Sequence, residues 1–197
     1  MTDEKKIILV IGKRGSGKSY LVKKMIRTDT RLVVFDLMSE YVEGVTFGPE
    51  NPRELAWFWR KFYKRDFRIV YRPIRSKAEI LQLSELVYSL GNLTFVVEEI
   101  DSICTPYELP DPFAAIVQRG RHKNIQLIGV TPAPYGINRD LTRQAKEIYI
   151  FNTNEPRDID YLRQLLGSEI EAKIAALEQY QYVKWTDGKE DFEIGRA

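Results

Sequence analysis

The stretch VIGKRGSGKSY, Val10 to Tyr20, restricts the possible folds more than any other part of the chain. From Gly12 to Ser19 it matches G-x-x-x-x-G-K-[ST], directly after the apolar run Lys6–Ile11 and directly before a helical pattern over Lys18–Arg27. Such a loop needs a strand to launch it and a helix to receive it. Its glycines let backbone N–H groups turn inward, and the helix start adds its positive end, so together they cradle phosphates. The candidate phosphate-binding residues are therefore Gly12, Lys13, Arg14, Gly15, Ser16, Gly17, Lys18, Ser19 and Tyr20. Lys18 is expected to reach the β- and γ-phosphates of ATP, and the Ser19 hydroxyl to ligate Mg²⁺. The plainer alternative is a glycine turn before a helix, with its basic residues merely solvated.

The apolar, β-branched runs Lys6–Ile11, Arg31–Asp36, Phe67–Arg72, Leu93–Glu99, Ile125–Val130 and Glu147–Phe151 read as buried strands. Nearly unbroken hydrophobicity implies a sheet covered on both faces, hence mostly parallel strands joined by helical crossovers. Helices fit Lys18–Arg27, Pro52–Lys64, Lys77–Leu90, Pro112–Arg121, Arg157–Leu166 and Glu169–Tyr180. Beyond residue 166, QYQYVKW, TDGK and DFEI read as a hairpin with Asp-Gly at its turn. The expectation is one three-layer α/β domain over residues 1–197, with its core at about 5–166 and a helix-and-hairpin appendage at 167–197.

With 197 residues and 44% hydrophobic content, the chain suits one compact domain. No apolar run approaches the roughly 18 residues that span a bilayer, and MTDEKK followed by a short apolar stretch does not make a secretory signal. A lone cysteine, Cys104, excludes an internal disulfide framework. These features fit a soluble, cytoplasmic protein. A net charge of +2 neither announces nor excludes a nucleic-acid partner.

The run LTFVVEEIDS places Glu98 and Glu99 at the tip of an apolar strand. Burying two carboxylates there is costly unless a cation or water compensates. The functional reading has Glu98 holding Mg²⁺ through its water shell and Glu99 polarising the water that attacks the γ-phosphate. The alternative is two surface acids, and Asp101 could stand on the metal side instead. Two strand patterns separate the loop from this pair, and no N-K-x-D base-reading motif occurs. That layout favours ATPases with an added strand and a catalytic glutamate over switch-type GTPases.

GKRGSGKS, LVVFDLMSEY, FVVEEID and IVQRGRHKNIQLIGVTPAP occur in the order and spacing of the HerA/FtsK-like superfamily. Over about Lys5 to Leu166 the chain resembles, within that superfamily, the genome-packaging ATPases of tailless icosahedral viruses with internal membranes. The D-x-x-x-E-Y after the second strand (Asp36, Glu40, Tyr41) and the G-R-x-x-x-I before the fifth are its narrower marks. The resemblance implies a RecA-like (ASCE) P-loop NTPase fold, ATP hydrolysis with Mg²⁺, a homo-oligomeric ring (usually a hexamer) and movement of double-stranded DNA. A capsid or membrane protein at a packaging vertex would be a further partner. It implies that Asp36 lies near the nucleotide and that Arg121, or next to it Arg119, is presented to the neighbouring subunit's ATP. Such an arginine is worth roughly 10³ or more in rate. The family's fifth strand usually ends in a γ-phosphate-sensing glutamine or asparagine, where this chain has Thr131, and its metal-side acid is more often aspartate than glutamate.

A translocase this short would hold DNA by loops, with candidates after Asp101 and around Tyr135 to Arg143. Two other readings compete: a nucleoside or other small-molecule kinase, and a phage morphogenesis or secretion ATPase with the same core. WFWRKFYKRDFR mixes aromatics and bases, but Leu55, Phe58 and Phe62 form one helical stripe that core packing explains. Lys61, Lys64 and Arg65 are expected on an exposed face. His122 and Cys104 lack the partners a metal site needs.

Overall fold

The computed structural model describes residues 5–197, and among these nine strands form one sheet. They are β1 (Ile7–Ile11), β2 (Arg31–Phe35), β3 (Val45–Phe47), β4 (Phe67–Tyr71), β5 (Leu93–Val97), β6 (Ile125–Thr131), β7 (Ala145–Phe151), β8 (Gln181–Thr186) and β9 (Glu193–Arg196). Their spatial order is β3-β4-β2-β5-β6-β1-β7-β8-β9. Every pairing from β3 across to β7 is parallel, whereas β8 and β9 run antiparallel. Seven helices accompany them: α1 (Lys18–Met25), α2 (Pro52–Phe62), α3 (Ser76–Leu90), α4 (Asp111–Arg119), α5 (Arg139–Gln144), α6 (Pro156–Leu166) and α7 (Glu169–Ala175). Among the described residues no helix is long and apolar enough to cross a membrane.

The unbroken apolar runs have a simple cause. Successive side chains of a strand point to opposite faces, and here both faces are covered. Leu9, Ile11, Val33, Phe35, Phe95 and Val97 join the larger core, with residues of the later helices such as Ile80, Phe113 and Leu162. Ile8, Val10, Val34, Val96 and Val130 belong to the smaller core, against Leu21 and Val22 of α1 and Ile26 just after it. Leu55 of α2 is buried, and Phe58 and Phe62 pack against the larger core, while Lys61, Lys64 and Arg65 are exposed. Ile170, Ile174 and Val183 also join that core, and β8 pairs with β7, so residues 167–197 extend the sheet itself.

Two elements go beyond what the patterns announce. β3 has three residues, Val45 and Thr46 of them exposed, so it carries no apolar run. α5 has six residues, Arg139–Gln144, and overlaps the segment read as a loop around Tyr135 to Arg143. In the tail, the turn at Asp187–Gly188 forms as read, but β9 begins only at Glu193.

β6 lies between the loop-bearing β1 and the acid-bearing β5 and must stay slim where Ile100 folds over it. A Cβ on Gly129 would stand 2.8 Å from Ile100 Cδ1 and 3.1 Å from Leu9 Cδ2. Gly129→Ala is therefore expected to cost about 1–3 kcal/mol. Melting followed by circular dichroism should fall by roughly 3–10 °C; an unchanged melting temperature would refute this packing account.

Candidate functional site

All the parallel strands end on one edge of the sheet, and the loop leaves β1 there. Its frame is strapped to the neighbouring strands: the Gly12 N–H donates to the Thr131 carbonyl at 3.2 Å, and the Lys13 N–H to that of Asn152 at 3.2 Å. Gly12 has φ +149°, and a Cβ there would come within 2.6 Å of Phe151 Cβ, so only glycine fits this close approach. Gly15 at φ +77° has nothing within 4 Å of the same position, leaving its side of the loop open. Lys18 is buried, and its ammonium donates to the Lys13 carbonyl at 3.1 Å. Burial lowers its pKa, opposed by the charges of Glu98, Glu99, Glu40 and Asp101.

Across a cleft of about 250 Å³ stand the two acids of the β5 tip. Arg14, Gly15, Gly17, Lys18, Ser19 and Tyr20 form one side of that cleft; Met38, Glu40, Glu98 and Glu99 also line it, together with Tyr180. Glu98 is 2% exposed, and burial pushes its carboxyl up to about 7 despite a 2.6 Å hydrogen bond donated by the Tyr41 hydroxyl. Glu99 is partly exposed, with its pKa raised by burial and by Asp101 against the pull of Lys18 and Arg14. Its backbone sits at φ 50°, ψ 47°, the left-handed region that costs a residue with a side chain of order 1–3 kcal/mol. The sharp turn after β5 turns Glu99 into the cleft at that cost.

Other residues singled out from the sequence stand elsewhere. Asp36 is fully buried and does not line the cleft. Its carboxylate accepts from the Glu40 N–H at 3.0 Å and the Tyr41 N–H at 3.1 Å, with Arg72 Nε 3.6 Å away. It thus folds the turn that carries Tyr41 to Glu98, one step removed from the cleft. Thr131 is buried behind the loop, and its hydroxyl donates to Asp101 at 2.8 Å while accepting from the Ala133 N–H at 3.0 Å. Arg119 and Arg121 are exposed just before β6, at the opposite, amino end of the strands. The Arg119 guanidinium lies over the Tyr88 ring, 5.5 Å from its centroid. Arg121 lines a separate cavity with Lys5, Lys6, Arg143 and Lys146.

Met38 and Tyr180 reach the cleft without any sequence signal, because tertiary folding alone brings them there. Ser16 carries a buried hydroxyl with no hydrogen-bond partner. An orphaned donor inside a loop of inward-turned amides fits an absent anion. Among the described residues no group of three or more His, Cys, Asp or Glu could hold a metal ion.

No protein-family model matches the chain. The DNA packaging ATPase P9 of Enterobacteria phage PRD1 is 25% identical over 189 residues, which is 89% of this chain and 77% of that protein. Among solved structures, the genome packaging NTPase B204 from Sulfolobus turreted icosahedral virus 2, in complex with AMPPCP, superposes with a TM-score of 0.78. It is 20% identical, and the match covers 99% of both chains. The N-terminal domain of zonular occludens toxin from Neisseria meningitidis matches with a TM-score of 0.58 at 12% identity, covering 99% of this chain and 94% of that one. The likeness to P9 is one of sequence and runs through almost the whole chain. The other two speak for the fold alone, a mostly parallel α/β sheet with the loop after its first strand.

A carboxyl held above its unfolded pKa loses stability as pH rises. The unfolded Glu98 ionises from about pH 4.5, the folded one only near 7, so the penalty grows across that window and is constant above it. In ligand-free protein, Glu98→Gln is expected to match wild type near pH 4.5 and to exceed it by up to about 3 kcal/mol at pH 8. Urea unfolding at the two pH values checks this; a stability difference independent of pH would contradict it.

Proposed function

We propose that this chain, a homologue of the viral genome-packaging ATPases, hydrolyses ATP and couples hydrolysis to movement of double-stranded DNA. One observation carries the reading: the acid pair at the tip of β5 faces the desolvated Lys18 across a cleft bounded by the phosphate loop. In this reading Lys18 exchanges the Lys13 carbonyl for the β- and γ-phosphates, and Ser16 and the loop amides complete their binding. Ser19 and Glu98 would hold Mg²⁺, which supplies positive charge against the charge that develops on the phosphate oxygens. Glu98 would hold the cation as a carboxylate, kept aimed by the Tyr41 hydroxyl that donates to it. Glu99 takes the proton of the attacking water; the water oxygen bonds to the γ-phosphorus as the bond to the β–γ bridging oxygen breaks, releasing ADP. Thr131 could sense the γ-phosphate only by letting go of Asp101, and Asp36 acts on the site through Tyr41.

Arg121 and Arg119, at the far end of the strands, would serve a neighbouring subunit's ATP in a ring, hexameric by resemblance. DNA would be held through its phosphates by exposed loops at the carboxyl edge, such as the one bearing Tyr107, which is 98% exposed. A capsid or membrane protein at a packaging vertex completes the partners, and the host cytoplasm or the virion is the place of action. A morphogenesis or secretion ATPase with the same core is the second reading, and the structural match to VirB4 of Thermoanaerobacter pseudethanolicus shows that this fold is not confined to packaging proteins.

Purified protein should hydrolyse ATP faster with double-stranded DNA present. Glu99→Gln should retain ATP binding while losing about 10²-fold or more in rate, and Lys18→Ala should lose binding. Transfer of phosphate to a nucleoside instead of water would establish the kinase reading. Hydrolysis indifferent to DNA would favour the secretion reading. For the shared site, mixing Arg121→Ala with Lys18→Ala subunits should restore part of the activity. Mixed rings that assemble but stay inactive would remove Arg121 from this role.

A further inference from the structure

We infer that Tyr180 is the platform on which the nucleotide's base rests, and that the chain grips its nucleotide without reading the base's edge. The inference rests on the nucleotide reading above and extends it to the end of the molecule that the motifs leave unassigned.

Sheet order fixes the direction in which a nucleotide must lie. β1 and its loop stand between β5, two strands away on one side, and β8, two strands away on the other. The acids belong to the β5 side. A triphosphate whose terminal phosphate points to Glu98 and Glu99 therefore sends its sugar and base toward β8. β8 runs antiparallel to β7, with Tyr182 opposite Phe151, so it begins at the same edge where the loop leaves β1. Tyr180 immediately precedes that start.

The local geometry agrees. Tyr180 lines the cleft and is 48% exposed, an unusual degree for an aromatic ring set against the loop. A Cβ on Gly17 would stand 3.3 Å from Tyr180 Cδ1 and 3.5 Å from Ala197 Cβ, so the ring and the end of β9 abut the loop's last glycine. The Tyr180 backbone has φ 64°, a conformation that bulky residues avoid and that persists where surrounding structure enforces it. Here that structure is the Ala197 N–H donating to the Tyr180 carbonyl at 3.0 Å, and the ion pair between Arg196 and Glu178. Tyr20, 65% exposed on the first turn of α1, lines the same cleft. The cleft's charged side chains, Arg14, Lys18, Glu40, Glu98 and Glu99, belong to the phosphate side. Of the other large lining side chains, Met38, Tyr20 and Tyr180, only Tyr180 stands on the β8 side, and stacking tolerates any base because each has a π-face.

Nucleotide affinity of the full chain provides the test, with ATP, GTP and inorganic tripolyphosphate as probes. Tyr180→Gly and Tyr180→Asn delete the ring while suiting the left-handed backbone; Tyr180→Phe keeps the ring. We expect wild type to bind ATP and GTP within about threefold of each other. Both deletions should weaken both nucleotides about tenfold, leave tripolyphosphate affinity unchanged, and be rescued by Tyr180→Phe. Unchanged ATP affinity in the deletions would overturn the proposal. So would an equal loss for tripolyphosphate, which would make Tyr180 a prop for the loop, or a strong wild-type preference between ATP and GTP. Wild type that binds neither ATP nor tripolyphosphate would overturn the nucleotide reading and this inference with it, an outcome distinct from the other three.

Discussion

The width of one strand sets the scale of the site. β6, inserted between β1 and β5, holds the acids away from the lysine by a fixed step of the sheet. Parallel strands some 4.8 Å apart cannot drift without breaking the ladders on both sides, so this separation is rigid where a loop-built site would flex. The slimness of β6 at Gly129 and the sharp turn at Glu99 follow from it. The chain must leave β5 at once, or the acids would pass over the cleft, and Ile100 needs room above β6 to make the turn.

Within that frame the charges are unequal. Lys18 is the buried cation, and Glu40, Glu98, Glu99 and Asp101 all act on it. The fold tolerates the excess of acid by keeping Glu98 protonated until about neutral pH, and by giving its carboxyl a phenol that burial and the acid itself hold in the protonated, donating form. On the proposed reading a cation would relieve the acids, and phosphates would relieve the lysine, the Ser16 hydroxyl and the loop amides.

How far the sequence could be read follows from the same physics. Strands buried on two faces need apolar side chains at every position, so β1, β2, β4, β5, β6 and β7 stand out as runs. β3 at the sheet's edge needs only Phe47 inside and leaves no such trace. The loop and the acid pair were legible because each is local: glycines and lysine at fixed offsets, carboxylates where an apolar run stops. Asp36 shows the limit. A buried aspartate at a strand tip reads as a nucleotide ligand in the sequence, and only the fold shows that its carboxylate caps the Glu40 and Tyr41 N–H groups. Tyr180 is separated from the loop by some 160 residues, and no periodicity could have placed its ring beside Gly17.

The positions of Arg121 and the cleft at opposite ends of the same strands give the molecule a direction, like an arrow with a socket at its head. An arginine at the tail never meets the phosphates held at the head of its own chain; only another copy, displaced along the arrow, could offer them. A two-fold pair would make such a contact twice, each copy's arginine meeting the other's cleft, whereas a head-to-tail array would make it in one direction only. In such an array it would repeat from one copy to the next, until the turn between copies closed on itself or the array wound on without end.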